Sequence, residues 1–100
     1  MTRLLTTGFV AFLLSGCVGP APRGAYVLAN TAILAAKSAE AAQYAPTLYI
    51  KAQQYYVKGQ RNFSDREYSD ARKDFTLARQ YAEKAEDYTM LKKSDDGDAN

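Results

Sequence analysis

Residues 68–89 read YSDARKDFTLARQYAEKAEDYT, and their spacing decides the fold. Tyr68, Ala71, Phe75, Ala78, Ala82, Ala85 and Thr89 recur at alternating intervals of three and four, the period that lines one face of an α-helix. A second flank, Leu77, Tyr81, Tyr88 and Leu91, lies beside the first. Two apolar flanks let one helix touch two neighbours, so this segment is expected to pack on both other helices. At 1.5 Å per residue, about 25 residues would span roughly 37 Å. Just upstream, Ser64-Asp65-Arg66-Glu67 has the form of an S-x-x-E capping box. In such a box the serine side chain accepts from the glutamate amide and the carboxylate returns to the serine amide. The expected helix runs from about 65 to 92, ending where Lys92-Lys93 suits the negative end of the helix dipole.

Working toward the N-terminus, Tyr49, Ala52, Tyr56, Gly59 and Phe63 repeat the three-four pattern and predict a helix over about 46–63. Gly59 costs about 1 kcal/mol against alanine in a helix interior. Its place on the stripe points to a helix–helix contact too close for a side chain. Pro46 suits a first helical turn and no interior one, so a tight turn is expected at Gln43 to Ala45. Before it, residues 25–44 are alanine-rich and free of glycine and proline, with Leu28, Ala32, Ala35, Ala39 and Ala42 on one helical face. Residues 94–100, Ser-Asp-Asp-Gly-Asp-Ala-Asn, hold no large apolar side chain and read as a disordered acidic tail. The expected class is all-α: an antiparallel helical hairpin or small three-helix bundle over residues 25–93.

The N-terminus carries a different signal. Met1-Thr2-Arg3, an apolar run from Leu4 to Leu14 and the small residues Ser15-Gly16 together read as a secretory signal peptide over residues 1–16. The run is shorter than the ~20 apolar residues a spanning helix needs. Leu14-Ser15-Gly16-Cys17 resembles the bacterial lipobox, which implies cleavage between Gly16 and Cys17 and a diacylglyceryl group on the Cys17 thiol. Val18, in place of an aspartate after the cysteine, implies the outer membrane as destination in double-membraned bacteria. Two or more acyl chains make a stable tether where one does not. Residues 17–24, with Pro20, Pro22, Gly19 and Gly24, are then a flexible spacer between lipid and helices.

Composition narrows the chemistry. Of 100 residues none is histidine or tryptophan and one is cysteine, so the commonest general base, the commonest zinc ligand and an intrachain disulfide are all excluded. The net charge is +2, with no concentrated basic stripe of the kind that holds nucleic acid. Removing residues 1–16 leaves 84, near the size where one core is marginally sufficient. No enzyme, no cofactor and no metal site are expected.

The segment Tyr44-Ala45-Pro46, followed by Tyr49, Ala52, Tyr56, Phe63 and Glu67-Tyr68-Ser69-Asp70-Ala71-Arg72, resembles a bacterial envelope family labelled domain of unknown function 4398. The likeness runs from about Ala29 to Glu86. It implies an alanine-rich first helix, a Y-A-P step and a G-D-Y-x-x-A turn into the last helix. Arg66 stands where that family usually has glycine, which implies a differently capped turn. Membership implies lipoproteins or neighbours of peptidoglycan-binding domains and supplies no catalytic residue. Tyr55, Gly59, Tyr68, Ala71, Phe75 and Ala78 are also similar to the signature of a single tetratricopeptide repeat, a hairpin geometry that usually needs about three units to stand alone.

The aromatic stripe Tyr49, Tyr56, Phe63, Tyr68 and Phe75 is expected in the core. Asp70 and Asp74, with Arg66, Arg72 and Lys73 nearby, read as a solvated salt-bridge face; Arg72, Lys73 and Arg79 form a basic patch that Asp74 and Glu83 dilute. Tyr55, Tyr81 and Tyr88 are the candidate interface residues, since a tyrosine ring packs while its hydroxyl reaches water. The expected function is a lipid-anchored structural or adaptor protein docking an envelope complex or peptidoglycan to the membrane, its domain facing the periplasm. The alternative is a tetratricopeptide-like module for a peptide or small ligand. The three-four seam of the last helix also permits self-association.

Overall fold

A computed structural model describes residues 19–98; the signal peptide, Gly16 and Cys17 lie outside the described residues. Four helices follow one another: α1 Arg23–Ser38, α2 Ala41–Tyr44, α3 Pro46–Ser64 and α4 Tyr68–Asp98. The all-α class holds, with α3 and α4 forming a hairpin. The long α4 is the element that α1 and α3 share, while α1 and α3 touch each other least. Helix α4 thus packs on both neighbours as expected, but chiefly through its first stripe, since Tyr88 and Leu91 of the second flank are 45 % and 67 % exposed.

The core has two parts. In one, Ala32 and Ala36 of α1, Ala41, Ala45, Tyr49 and Ala52 meet Ala82 and Ala85 of α4. In the other, Ala29 meets Ala71, Phe75 and Ala78, with Tyr26, Tyr55, Tyr56 and Phe63 packed around them. Ile33 bridges the two clusters. Phe75 is fully buried, and a Cβ on Gly59 would lie 2.7 Å from its ring. The glycine is therefore the hole that receives the Phe75 knob, as its place on the α3 stripe foretold.

Several boundaries differ from the sequence expectation. The single first helix expected over 25–44 breaks after Ser38. Glu40 takes the left-handed conformation (φ 71°), its amide donating to the Lys37 carbonyl at 3.0 Å, and the short α2 carries the chain to Pro46, which opens α3 as expected. The buried face of α1 is Ala29, Ala32 and Ala36, sharing only Ala32 with the expected face. The polar residues Asn30, Thr31, Lys37 and Ser38 are exposed on the opposite side of α1, and the expected stripe had included Leu28, which stays half-exposed. The two residues Arg23 and Gly24, expected in the spacer, belong to α1.

The capping box does not form as a start of α4. Ser64 is the last residue of α3, and Arg66 sits at φ 61°. The Glu67 amide donates to the Asn62 carbonyl at 2.8 Å and the Arg66 amide to Phe63 at 3.2 Å. These are the two bonds of a Schellman C-cap, which satisfy the carbonyls at the end of α3 before α4 begins. Of the acidic tail expected over 94–100, residues 94–98 are helical, because α4 runs on to Asp98, and the last two lie outside the described residues. A helix already nucleated by packing adds residues at little cost, and no proline interrupts it. Lys93, expected to cap the helix end, instead reaches Glu40 at 3.6 Å and lies over the Tyr44 ring at 5.5 Å.

Candidate aromatic and basic groove on the α3–α4 hairpin

Beside the core stripe of α3 runs a second one, Lys51, Tyr55, Lys58 and Asn62, at intervals of four, three and four. On α4 the matching stripe is Asp70, Asp74, Leu77, Tyr81 and Lys84. Antiparallel packing of the two helices sets these stripes side by side. Tyr55, Lys58 and Asn62 of α3 with Asp70, Lys73, Asp74 and Leu77 of α4 line a cleft of about 530 Å³, and Lys51, Tyr81 and Lys84 continue the stripes past its Tyr55 end.

At that end, Tyr55 and Tyr81 stack with centroids 5.6 Å apart and planes 3° from parallel. Both rings are half-buried. Lys51 Nζ lies 5.4 Å and Lys84 Nζ 5.5 Å from the Tyr81 centroid, where the negative ring face attracts a cation. Lys58 and Lys73 extend the positive rim. Asp74 is not part of a solvated salt-bridge face: it is buried, and Asn62 Nδ2 donates to its Oδ2 at 2.6 Å. That bond satisfies the carboxylate and ties α3 to α4 beside the cleft. Asp70 is exposed, as expected. Arg79 pairs weakly with Glu83, Nε to Oε1 3.7 Å, on the side of α4 away from the cleft.

Of the three tyrosines singled out in the sequence, the structure brings Tyr55 and Tyr81 together and leaves Tyr88 apart. Tyr88 is 45 % exposed, under Lys92 at 6.0 Å, and borders a shallow recess with Tyr44, Pro46 and Leu48. None of the three is sealed against α1. The sequence reading missed the lysines that frame the pair, although Lys51–Tyr55 and Tyr81–Lys84 stand at the i,i+4 and i,i+3 spacings where helix side chains meet. It also missed Tyr26, the hub of the aromatic core. Its ring lies 4.5 Å from Phe75, 5.4 Å from Phe63 and 5.7 Å from Tyr56. Its hydroxyl accepts from Gln60 Nε2 at 2.8 Å. Burial, with the neighbouring Tyr26 hydroxyl, pushes the Tyr56 phenol above its ordinary range.

The groove can therefore offer flat aromatic surface and several ammonium groups to a partner. Among the described residues no group of three or more His, Cys, Asp or Glu is placed to hold a metal ion, and no helix is long and apolar enough to cross a membrane. No curated protein and no solved structure matches the chain. Residues 24–100 do match one family, described as Domain of unknown function (DUF4398). The matched span takes in nearly all of α1 and the whole of α2, α3 and α4, with both parts of the core and the groove. The chain belongs to that family.

Proposed function

We propose that this chain is a lipid-anchored envelope protein with a structural or adaptor role, docking a protein complex or the cell wall to the outer membrane from the periplasmic side. In this reading the chain is cut between Gly16 and Cys17, Cys17 carries the lipid, and the helical unit performs no catalysis. The observation that carries the docking role is the stacked Tyr55–Tyr81 pair with Lys51 and Lys84 against it, on a face that α1 leaves open. Rigid aromatic surface loses little side-chain entropy on contact, and tyrosine is enriched where partners bind tightly. The anchor is supported by the Leu14-Ser15-Gly16-Cys17 sequence.

A photo-crosslinking amino acid placed at Tyr55 in native envelopes should capture a macromolecular partner. The same group at Gln53, exposed on another side of α3, should not. Equal capture at both positions, or none at either, counts against docking through the groove. Cys17→Ala should move the protein from the membrane to the soluble fraction with its helices intact. A second reading, a module for a peptide or small ligand, is favoured by the cleft volume, which falls within the roughly 300–1,000 Å³ of small-molecule sites. Recovery of a bound small molecule by native mass spectrometry, without a macromolecular crosslink, would select it.

A further inference from the structure

α1 carries no charged residue from Gly24 to Ala36, yet only one of its faces is covered. Ala29, Ala32 and Ala36 are buried, whereas Val27, Leu28 and Leu34 are 61 %, 50 % and 53 % exposed. Thr31 and Asn30 are the exposed polar residues beside them, and Asn30 Oδ1 accepts from the Tyr56 hydroxyl at 3.4 Å. Exposed aliphatic side chains grouped on an uncharged face point to a contact surface. The contrast with α3 is direct. Ile50 and Val57 are each 51 % exposed, but Lys51 and Lys58 stand next to them.

Three features indicate what covers the outward face of α1. Only five residues separate Cys17 from Arg23, so a lipid on Cys17 holds the start of α1 within about 20 Å of its attachment point. Three half-exposed aliphatic side chains fall well short of the ~800 Å² per partner of a standard protein interface. A tethered face needs far less, because its contact is intramolecular. Finally, exposed Arg23 and Lys37 bracket the uncharged run, an arrangement suited to anionic headgroups at either end of an interfacial helix.

We infer that the outward face of α1 lies against the membrane in which Cys17 is anchored, seating the bundle side-on. The inference rests on the lipid-anchor reading and adds an orientation to it. The α3–α4 groove, in which α1 takes no part, is then left accessible to a partner from the periplasm.

The test uses the lipidated full chain in vesicles of phosphatidylethanolamine and phosphatidylglycerol. Nitroxide labels are placed through Leu34→Cys and, separately, Val57→Cys, since a lipidated Cys17 has no free thiol. Docking is expected to cut collisions of the Leu34 label with a water-soluble nickel chelate several-fold and to raise those with oxygen, while the Val57 label stays open to the chelate. Val27→Cys repeats the Leu34 measurement if that variant loses helicity. A chain without lipid on Cys17 by mass spectrometry overturns the anchor and the docking with it. A lipidated chain that floats with the vesicles, yet exposes both labels equally, overturns the docking alone. Spin–spin broadening at Leu34 that grows with protein density assigns the face to a second copy and also overturns it.

Discussion

At one end of the bundle Ala32 and Ala36 of α1 meet Ala82 and Ala85 of α4; at the other, Phe75, Tyr26, Tyr56 and Phe63 pack around a single glycine. The first end gains from proximity, since alanine loses no side-chain entropy and lets backbones approach closely. The second gains from buried aromatic surface. The two should therefore fail in opposite ways: the aromatic end when atoms are removed, the alanine end when atoms are added.

The largest effect is expected at Phe75, whose ring is fully enclosed. Phe75→Ala should cost about 3–5 kcal/mol, a large part of the ~5–15 kcal/mol of a typical domain, read from urea unfolding. A loss under 1 kcal/mol would mean that the aromatic end does not hold the bundle together. Next comes Ala82→Leu at the alanine end. Overpacking there should cost about 1–3 kcal/mol, although leucine in an exposed helix position is almost as favourable as alanine. A neutral result would show that the seam has room to spread.

Gly59 sharpens the comparison, because it places an alanine-type approach inside the aromatic end. Gly59→Ala should destabilise the wild-type chain, since the new Cβ would meet the Phe75 ring at 2.7 Å. Against a Phe75→Leu background the same change should recover up to about 1 kcal/mol through helix propensity. A double-mutant cycle with no coupling between the two sites would remove the knob-and-hole account.

The connections respond to another rule. Arg66 and Glu40 both hold positive φ, which costs a side-chain-bearing residue about 1–2 kcal/mol. Arg66→Gly should thus raise the midpoint of denaturation by about 1 kcal/mol equivalent, less the added freedom of the unfolded chain. Glu40→Gly should gain slightly less, because it also loses the exposed ion pair with Lys93. The smallest effect lies in alkali. Because the folded chain holds Tyr56 protonated beyond its ordinary range, its contribution is complete below pH ~10 and is lost as pH rises through the folded value. Tyr56→Phe should flatten that alkaline decline in a pH series of unfolding midpoints.

The stripes of α3 and α4 were legible because each helix alternates large or small apolar residues with charged ones, and only one rotation hides the former. The candidate groove was half legible. Tyr55 and Tyr81 stood out as tyrosines outside the core seams, but their stacking depends on the register of two antiparallel helices, which no local pattern states. Asp74 misled for a related reason. Arg72 and Lys73 just before it are charged and exposed, while the partner that satisfies it, Asn62, sits across the hairpin.

Sequence alone determined that the chain is helical, that Pro46 opens a helix and that Gly59 marks a close approach, since each follows from backbone geometry or from the period of one segment. It also carries the whole case for Cys17. Tertiary structure decided which aliphatic residues of α1 stay exposed, where its helix breaks, and that Arg66 rather than a serine cap turns the chain into α4. Those outcomes depend on where neighbouring helices lie. Val27, Leu28 and Leu34 stay exposed because the alanine seam of α4 covers one side of α1 only, and a residue adopts positive φ only when packing on both sides of the turn compels it.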